Sequence, residues 1–522
     1  MRKIIDGRSM SLDRQRPKIC WIAGNATGSN GARSMARWVL GGLSITWLFC
    51  MIGCAVGPDF VRPQPPSVER YAFGKEPTVT VPADGKVQRF EQGLKIAADW
   101  WRFFNSSKLD ALIKEALVNN PSLQAAQASL RQSQDGLRAG FGIFYPQFDA
   151  SFDATRQKFS PAHLGESSAS SSIFNLFTLG GTVSYALDVF GGERRTVEGL
   201  QAQVDFQRYT VLGTYLTLSG NIVNAIVAQA AYREEIRATE QIINFEREQT
   251  GITEAQAQAG TVPYSNVLSL RSQLAATEAT LPPLRQKLSE TEHLLATLAG
   301  RTPVEWTPLQ IDLADLTLPD ELPITLPSEL VRQRPDILAA EAQLHSASAG
   351  IGVATAAMFP SFTLNGTYGL ANNAITDLLK KSSSVWSLGA DVSAPLFHGG
   401  TLWFNRRAAI EGYNQSVAAY RQAVLSAFAQ VADVLRALEH DAETLHSQSQ
   451  ALDSAAEALK LIQANYQAGI VNYLQLLIAD AQYHQAKIAY LQVRAQRFQD
   501  TVALFVALGG GWWNAEGQVP GN

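Results

Sequence analysis

Along residues 148–154, FDASFDA, apolar Phe148, Ala150, Phe152 and Ala154 alternate with polar Asp149, Ser151 and Asp153. The same period runs through residues 177–189, FTLGGTVSYALDV, where Phe177, Leu179, Val183, Tyr185, Leu187 and Val189 alternate with Thr178, Thr182, Ser184 and Asp188. It returns later in the chain. Phe362, Leu364, Tyr368 and Leu370 stand against Ser361, Thr363, Asn365 and Thr367, and Trp386, Leu388, Val392 and Leu396 against Ser387, Asp391 and Ser393. Period-two alternation predicts strands with one apolar and one polar face. Two settings fit: a soluble sandwich with the apolar face inward, or a membrane barrel with it outward. Length favours the barrel, because ten to thirteen residues at about 3.3 Å each, tilted by about 40°, span about 25 Å. Four strands are too few to close a barrel, whose smallest useful size is about eight. The chain is therefore expected to pool strands with copies of itself, and three copies would supply twelve.

After each strand pair the period changes. Gly191-Gly192 and Gly399-Gly400 open proline-free stretches that run to about Ala259 and Ala468, rich in Ala, Gln, Leu and Glu. Some 65 residues of helix would be about 100 Å long, far more than a compact domain needs. Val424, Phe428, Val431 and Leu435 form one stripe at coiled-coil-like spacing. Each helix is expected to reverse at a tip, one at Gly260, Thr261, Val262 and Pro263, the other at Gly469, Ile470, Val471 and Asn472. Such tips are either simple glycine-ended turns or docking points on rigid stalks. Pro282-Pro283 predicts a break in the first returning helix, which Leu491-Gln492 at the equivalent place in the second does not.

The two halves repeat one plan. NPSLQAAQASL, from Asn120, matches RPDILAAEAQL, from Arg334, at an offset of 214, and Tyr145-Pro146 falls on Phe359-Pro360. AGTVPYSNVL, from Ala259, matches AGIVNYLQLL, from Ala468, at an offset of 209. The expected organisation is a signal segment over 1–53, an extended N-terminal segment over 54–98, a first repeat over 99–300, a Pro-rich linker over 301–327, a second repeat over 328–511 and a tail over 512–522.

Composition changes the picture mainly at the N-terminus. The 522 residues are 46% hydrophobic and 17% charged, with a net charge of −4. Residues 1–53 carry eight Lys/Arg and two Asp/Glu, so the remainder is acidic at −10. No basic stripe for nucleic acid is visible. Arg33 and Arg37 precede a 16-residue apolar run, Trp38–Gly53, too short for a membrane span of about 20 residues but suited to a signal core. Met35 opens a compact signal by itself and is read as the translation start. The chain has three cysteines, Cys20, Cys50 and Cys54. Removal of the signal would leave Cys54 alone, so a disulfide has no partner. M-I-G-C resembles a bacterial lipobox, which makes Cys54 the expected lipid attachment site. Ala55 after it points towards the outer membrane.

No nucleophile elbow, zinc-protease helix, Walker loop or dinucleotide fingerprint occurs, and no enzyme is expected. Seven histidines are scattered; the nearest two, His440 and His446, fall on different helix faces, and neither a metal nor a cofactor is expected. Asp149, Asp153, Asp188 and Asp391 lie on the polar strand face, either lining a lumen or solvated at loop ends.

With these residues in view, the chain resembles the TolC-like outer-membrane efflux proteins, most closely their lipoprotein, NodT-type branch. CAVGPDFVRP, DWWRFFNSSKLDALIKEALVNNPSL, LPSELVRQRPDI, YQAGIVNYLQLL and ALGGGWW carry the resemblance. It implies a homotrimer sharing a twelve-stranded outer-membrane β-barrel, continued by a periplasmic barrel of long helices. It implies a passive conduit for small molecules that works with a periplasmic membrane-fusion adaptor and an inner-membrane pump of the RND type. The family's second tip commonly reads G-x-x-N-Y-L-x-L-L-D-A-Q, its leucine and aspartate lining a periplasmic gate. Gly469, Asn472, Tyr473 and Leu474 match; the aspartate position is Ile478, and the nearest carboxylate is Asp480. A gate here would therefore close by apolar contact rather than by a ring of charge. The rival readings are a duct of the same architecture for protein secretion or metal export, and a periplasmic coiled-coil scaffold or adaptor.

Overall fold

The computed structural model describes residues 55–74, 78–159 and 171–514. The signal-like segment, Cys54 and residues 515–522 lie outside the described residues. Strand β1 (Arg89–Gln92) is followed by helices α1 (Ser107–Asn119) and α2 (Pro121–Phe141), then by the hairpin β2 (Gln147–Phe159) and β3 (Ser172–Leu187). Helix α3 (Gly192–Gln258) runs to the first tip, and α4 (Tyr264–Glu278) and α5 (Leu281–Leu298) return from it. After β4 (Glu321–Ile324) the plan repeats as α6 (Pro335–Ala356), β5 (Ser361–Asn372), β6 (Ser384–Ser393), α7 (Thr401–Gln467) and α8 (Tyr473–Ala507). The chain is thus mainly helical, with long helices, four antiparallel strands and an internal two-fold repeat. Helices α3 and α7 have 67 residues each, about 100 Å at 1.5 Å per residue. The smaller offset of the second match arises between the strands, where the second hairpin is shorter.

Local chemistry accounts for the element ends. Asn120 accepts a hydrogen bond from the Leu123 amide at 3.1 Å and is followed by Pro121, a strong start for α2. The return from the first tip does break ahead of Pro282-Pro283, with α4 ending at Glu278 and α5 beginning at Leu281. Pro282 and Pro283 sit in the first turn of α5, where a missing amide costs nothing. With no proline, α8 continues unbroken for 35 residues.

The four-stranded sheet has the order β2-β3-β5-β6, all antiparallel. Its register aligns the alternation across the whole sheet. One row pairs Phe148 with Val183, then Gly366 and Leu388; the adjacent row pairs Asp149 with Thr182, Thr367 and Ser387. Strands β2 and β3 are longer than expected, at 13 and 16 residues, because pairing continues past Ala154 towards the loop. Leu396 and Val189, read as strand positions, lie beyond β6 and β3.

The core sits around the middle of the helices. Fully buried Trp100 lies flat on Phe505 of α8, with ring centroids 5.4 Å apart, and Phe104, Ile113, Ile222, Ile226 and Leu295 belong to the same cluster. Among the described residues, α3 is the one helix long and apolar enough to cross a membrane by composition. Most of its apolar stretch is buried in this bundle, which explains that composition without a membrane.

The N-terminal segment is strapped to the helices. The Val56 amide donates to the Phe190 carbonyl at 2.9 Å, and Asp59 pairs with Arg195 at 2.6 Å. Phe60 stacks on His345 at 4.3 Å, and Arg62 pairs with Glu341 at 2.6 Å. Gly57, at φ +97°, meets Gly352 of α6 so closely that a Cβ would lie 2.5 Å from the Gly352 Cα. Glycine at 57 allows that approach, while a Cβ on Gly352 would meet the Arg195 side chain at 2.6 Å.

A short parallel pairing of β1 with β4 joins this N-terminal region to the segment between the repeats. Beneath it lies Arg497 of α8, fully buried, whose Nε donates to Gln88 at 3.0 Å. Nearby, burial and then the hydrogen bond and charge of Asp500 push the Asp441 carboxyl up to about 8, with Arg497 opposing. The folded chain therefore holds a proton that the unfolded chain releases near pH 4. Its contribution to stability is full below about pH 4 and is lost as pH rises through about 8. Asp441→Asn should flatten that dependence and raise the thermal midpoint at pH 8 relative to the parent, measured by melting in detergent at pH 5 and pH 8.

Candidate functional site

Both tips are built alike. At the first, the Gly260 amide donates to the Ala257 carbonyl at 3.0 Å and the Thr261 amide to the Gln256 carbonyl at 3.0 Å. At the second, Gly469 donates to Tyr466 at 3.0 Å and Ile470 to Asn465 at 2.9 Å. This paired pattern ends a helix on a left-handed residue, and both glycines have φ +74°. Val262 and Pro263 complete the first turn, and Pro263 precedes the first residue of α4. Val471 and Asn472 complete the second, where Asn472 caps α8 by accepting from the Gln475 amide at 3.2 Å. The Tyr466 hydroxyl donates to the Gln256 side chain at 3.4 Å, so the two tips lie side by side at the end of the bundle. Thr261, Gly469 and Ile470 are exposed.

Helix α8 divides the second-tip residues between two faces. Leu474 and Ile478, one turn apart, are 59% and 49% exposed. Tyr473 and Leu476 are buried against Leu270 of α4, with Ile462 and Tyr466 of α7 packed alongside. Asp480, expected near the gate face, is buried instead. It is two residues beyond Ile478, a rotation of about 200°, which turns it to the far side of the helix. There it faces His484, with Nε2 2.9 Å from Oδ1. The exposed face is therefore apolar.

On the sheet, Asp149, Asp153 and Asp391 share one face with Thr178, Thr182, Thr363 and Thr367. Asp391 accepts a hydrogen bond from Asn365, and the Thr367 and Ser387 hydroxyls are 2.7 Å apart. The opposite face exposes Phe148, Phe152, Tyr368, Trp386, Leu388 and Val392. Asp188 departs from the expectation. It lies one residue past β3, and its carboxylate accepts from the Glu193 and Arg194 amides at 3.1 and 3.0 Å and from the Arg194 guanidinium at 3.0 Å. It caps α3 rather than facing outwards from the strand, because two free amides and a helix N-terminus attract a carboxylate.

Sequence reasoning missed the polar residues buried where α3, α4 and α8 meet. Glu246 accepts from the Thr277 hydroxyl at 3.1 Å, and burial pushes its carboxyl up, the Asp480 charge adding to the shift while Thr277, Gln273 and His484 oppose it. Glu246 at helical spacing after Ile242 and Ile243 was the available signal. The partners come from helices distant in the chain, which a single stripe does not reveal.

Against known proteins, residues 112–301 and 326–510 match the family model of the outer membrane efflux proteins. The chain is 32% identical over 420 residues to the pyoverdine export outer membrane protein OpmQ of Pseudomonas aeruginosa, covering 79% of this chain and 87% of that protein. It is 27% identical over 474 residues to the probable outer membrane lipoprotein SilC of Salmonella typhimurium, covering 90% and 98%. Its fold superposes on the outer-membrane channel OprN with a TM-score of 0.79 at 26% identity, over 88% of this chain and all of that one. The sheet with an apolar face, the two long hairpins and these matches agree: the chain belongs to the outer membrane efflux protein family and is a non-enzymatic, bacterial outer-membrane channel of an efflux system.

Proposed function

We propose that this channel is a homotrimer whose subunits share a twelve-stranded barrel, and that it passively conducts small molecules delivered by a periplasmic adaptor and an RND-type inner-membrane pump. The observation that carries the reading is the four-stranded sheet with two free edges, β2 and β6, and one face of exposed Phe, Tyr, Trp and Leu. Open edges in a bilayer leave backbone groups without partners, at several kcal/mol each. Four strands cannot close on themselves, so edges must pair with those of other copies. The apolar face then meets lipid, and the face bearing Asp149, Asp153 and Asp391 lines a wet lumen. Exposed tips on rigid hairpins suit the adaptor. The relatives' names speak of pyoverdine export and of an outer membrane lipoprotein. A wide passive lumen leaves the choice of cargo to the pump.

Cys54 is the proposed lipid site. Ala55, the next residue, lies against Gly191, where the strands give way to α3, which supports an acyl chain near the edge of the proposed barrel. Lipid contributes about 0.8 kcal/mol per buried CH₂, but the barrel supplies an anchor of its own. Cys54→Ser should therefore remain in the outer membrane, with slower assembly, when fractions are followed after induction. Complete release into the periplasm would show that the lipid, not the barrel, holds the protein. The trimer itself is tested by cross-linking protein purified from outer membranes and recording conductance in planar bilayers. A monomer, or a trimer silent even after the apolar tip residues are made polar, would overturn the conduit.

A further inference from the structure

The four strands of the sheet carry five charged side chains, and the register divides them by sign. Asp149, Asp153 and Asp391 share the face of Thr182, Thr178 and Thr363, which the proposed barrel turns to its lumen. Arg156 and Lys158 lie on the other face, continuing the row of Phe148, Phe152 and Ala154 along β2. Opposite them on β3 stand Asn175 and Ile173. Both basic residues are exposed, and neither forms an ion pair with another described residue. Solvation at a loop end would place charge of either sign on either face.

Their height on the sheet is as specific as their face. The apolar rows begin where Leu187 pairs with Phe362 and end where Phe177 pairs with Ala154. From Leu187 to Phe177 the strand rises about 33 Å, or about 25 Å across a bilayer at a tilt of about 40°, the height of an outer-membrane apolar band. Arg156 and Lys158 follow Ala154 by two and four residues, which sets them about 5 and 10 Å above that band. The helices leave the sheet at Gly192 and Thr401, from its opposite end, so this rim faces outside the cell. Long basic side chains at such a level rest their stems on apolar surface and hold their charges among lipid headgroups.

We propose that Arg156 and Lys158 bind the phosphate-bearing headgroup of an outer-leaflet lipid at the seam between two copies of the chain. Strand β2 is an edge of the sheet, so in the trimer it pairs with the other edge, β6, of the next copy. That strand begins at Ser384, shortly after Lys380 and Lys381. Lys380 is held by Asp377 at 2.6 Å, and Lys381 is exposed, a further cation at the same rim. The guanidinium donates paired hydrogen bonds to a phosphate, and each lysine adds a point charge. A lipid fits better than free phosphate, because its acyl chains cover Phe152 and Leu179, which are exposed in the row below. Bound there, it ties neighbouring copies together without entering the conduit. The site rests on the barrel proposed above, and its test separates the two.

Full-length protein purified from outer membranes is titrated in mild detergent with bisphosphorylated lipid A, with its monophosphoryl form and with inorganic phosphate. The parent should bind lipid A, bind the monophosphoryl form more weakly, and keep lipid A in the presence of an equal concentration of inorganic phosphate. Arg156→Gln combined with Lys158→Gln should weaken lipid A binding by about tenfold or more, as expected for two basic residues at a membrane surface. Arg156→Lys should retain most of the affinity. Arg131→Gln combined with Lys460→Gln, which removes the same charge from exposed helix positions, should bind as the parent does. Unchanged binding by the Arg156/Lys158 double variant, or an equal loss in the helix control, overturns the site. Displacement by inorganic phosphate overturns the lipid as its occupant. A trimer that conducts in planar bilayers with unchanged lipid binding in the double variant defeats the site alone; a silent protein that binds lipid A in the expected pattern keeps the site and defeats the conduit.

Discussion

Replacing Leu474 and Ile478 together by serine should raise the resting conductance of the channel in planar bilayers by about tenfold or more. Both side chains project from the exposed face of α8 one turn apart, beside a tip that packs on Leu270 of the neighbouring hairpin. In the trimer proposed above, these side chains would meet their counterparts at the closed end and exclude water. Fully burying one Leu or Ile is worth about 1.5–3 kcal/mol. Partial burial of two in each of three copies therefore exceeds the 1.4 kcal/mol that separates a tenfold change in an equilibrium. A narrow apolar ring also resists wetting, and hydroxyls remove that barrier. Ile478→Asp restores a carboxylate where the family pattern has one and should open the end while favouring cations. A double-serine trimer as tightly shut as the parent would refute apolar closure. The steric obstacle would then have to lie elsewhere along the conduit.

Arg497→Ala should cost about 3–5 kcal/mol, read from thermal or denaturant unfolding of the helical bundle in detergent. Removing one member of a buried polar network leaves the others without partners, which is the expensive case. The guanidinium reaches Gln88 at 3.0 Å and Thr80 at 3.4 Å, and Gln88 in turn donates to the Pro319 carbonyl at 3.2 Å. This one side chain thereby ties α8 to the N-terminal segment and to the stretch between the repeats. Burial lowers its own affinity for the proton, while Asp84 and Asp441 raise it. Arg497→Met, which keeps the volume but not the hydrogen bonds, should cost less than alanine. An alanine variant as stable as the parent would mean that the network relaxes onto water.

What was legible follows the range of the forces involved. The alternation at Phe148–Ala154 and Phe362–Leu370, the glycines at 260 and 469 and the paired prolines each act over a few residues, and each stands as read. Asp188 was misplaced because the pattern runs one step past the strand, and its partners are amides five and six residues later. The β1–β4 pairing was not read at all, since each strand is four residues long and its partner more than 200 residues distant.

The sequence by itself determined the two-fold repeat, the strand faces, the length of the helices and the position of both tips. Those follow from periodicity, backbone propensity and glycine geometry, which a chain carries before it folds. Tertiary structure decided which hydrophilic side chains are buried together. It turned Asp480 away from Leu474 and Ile478, set His484 beside it, buried Glu246 against Thr277, and enclosed Arg497 beneath β1. Burial is a property of the neighbours a helix face meets, and most of these neighbours are distant in the chain.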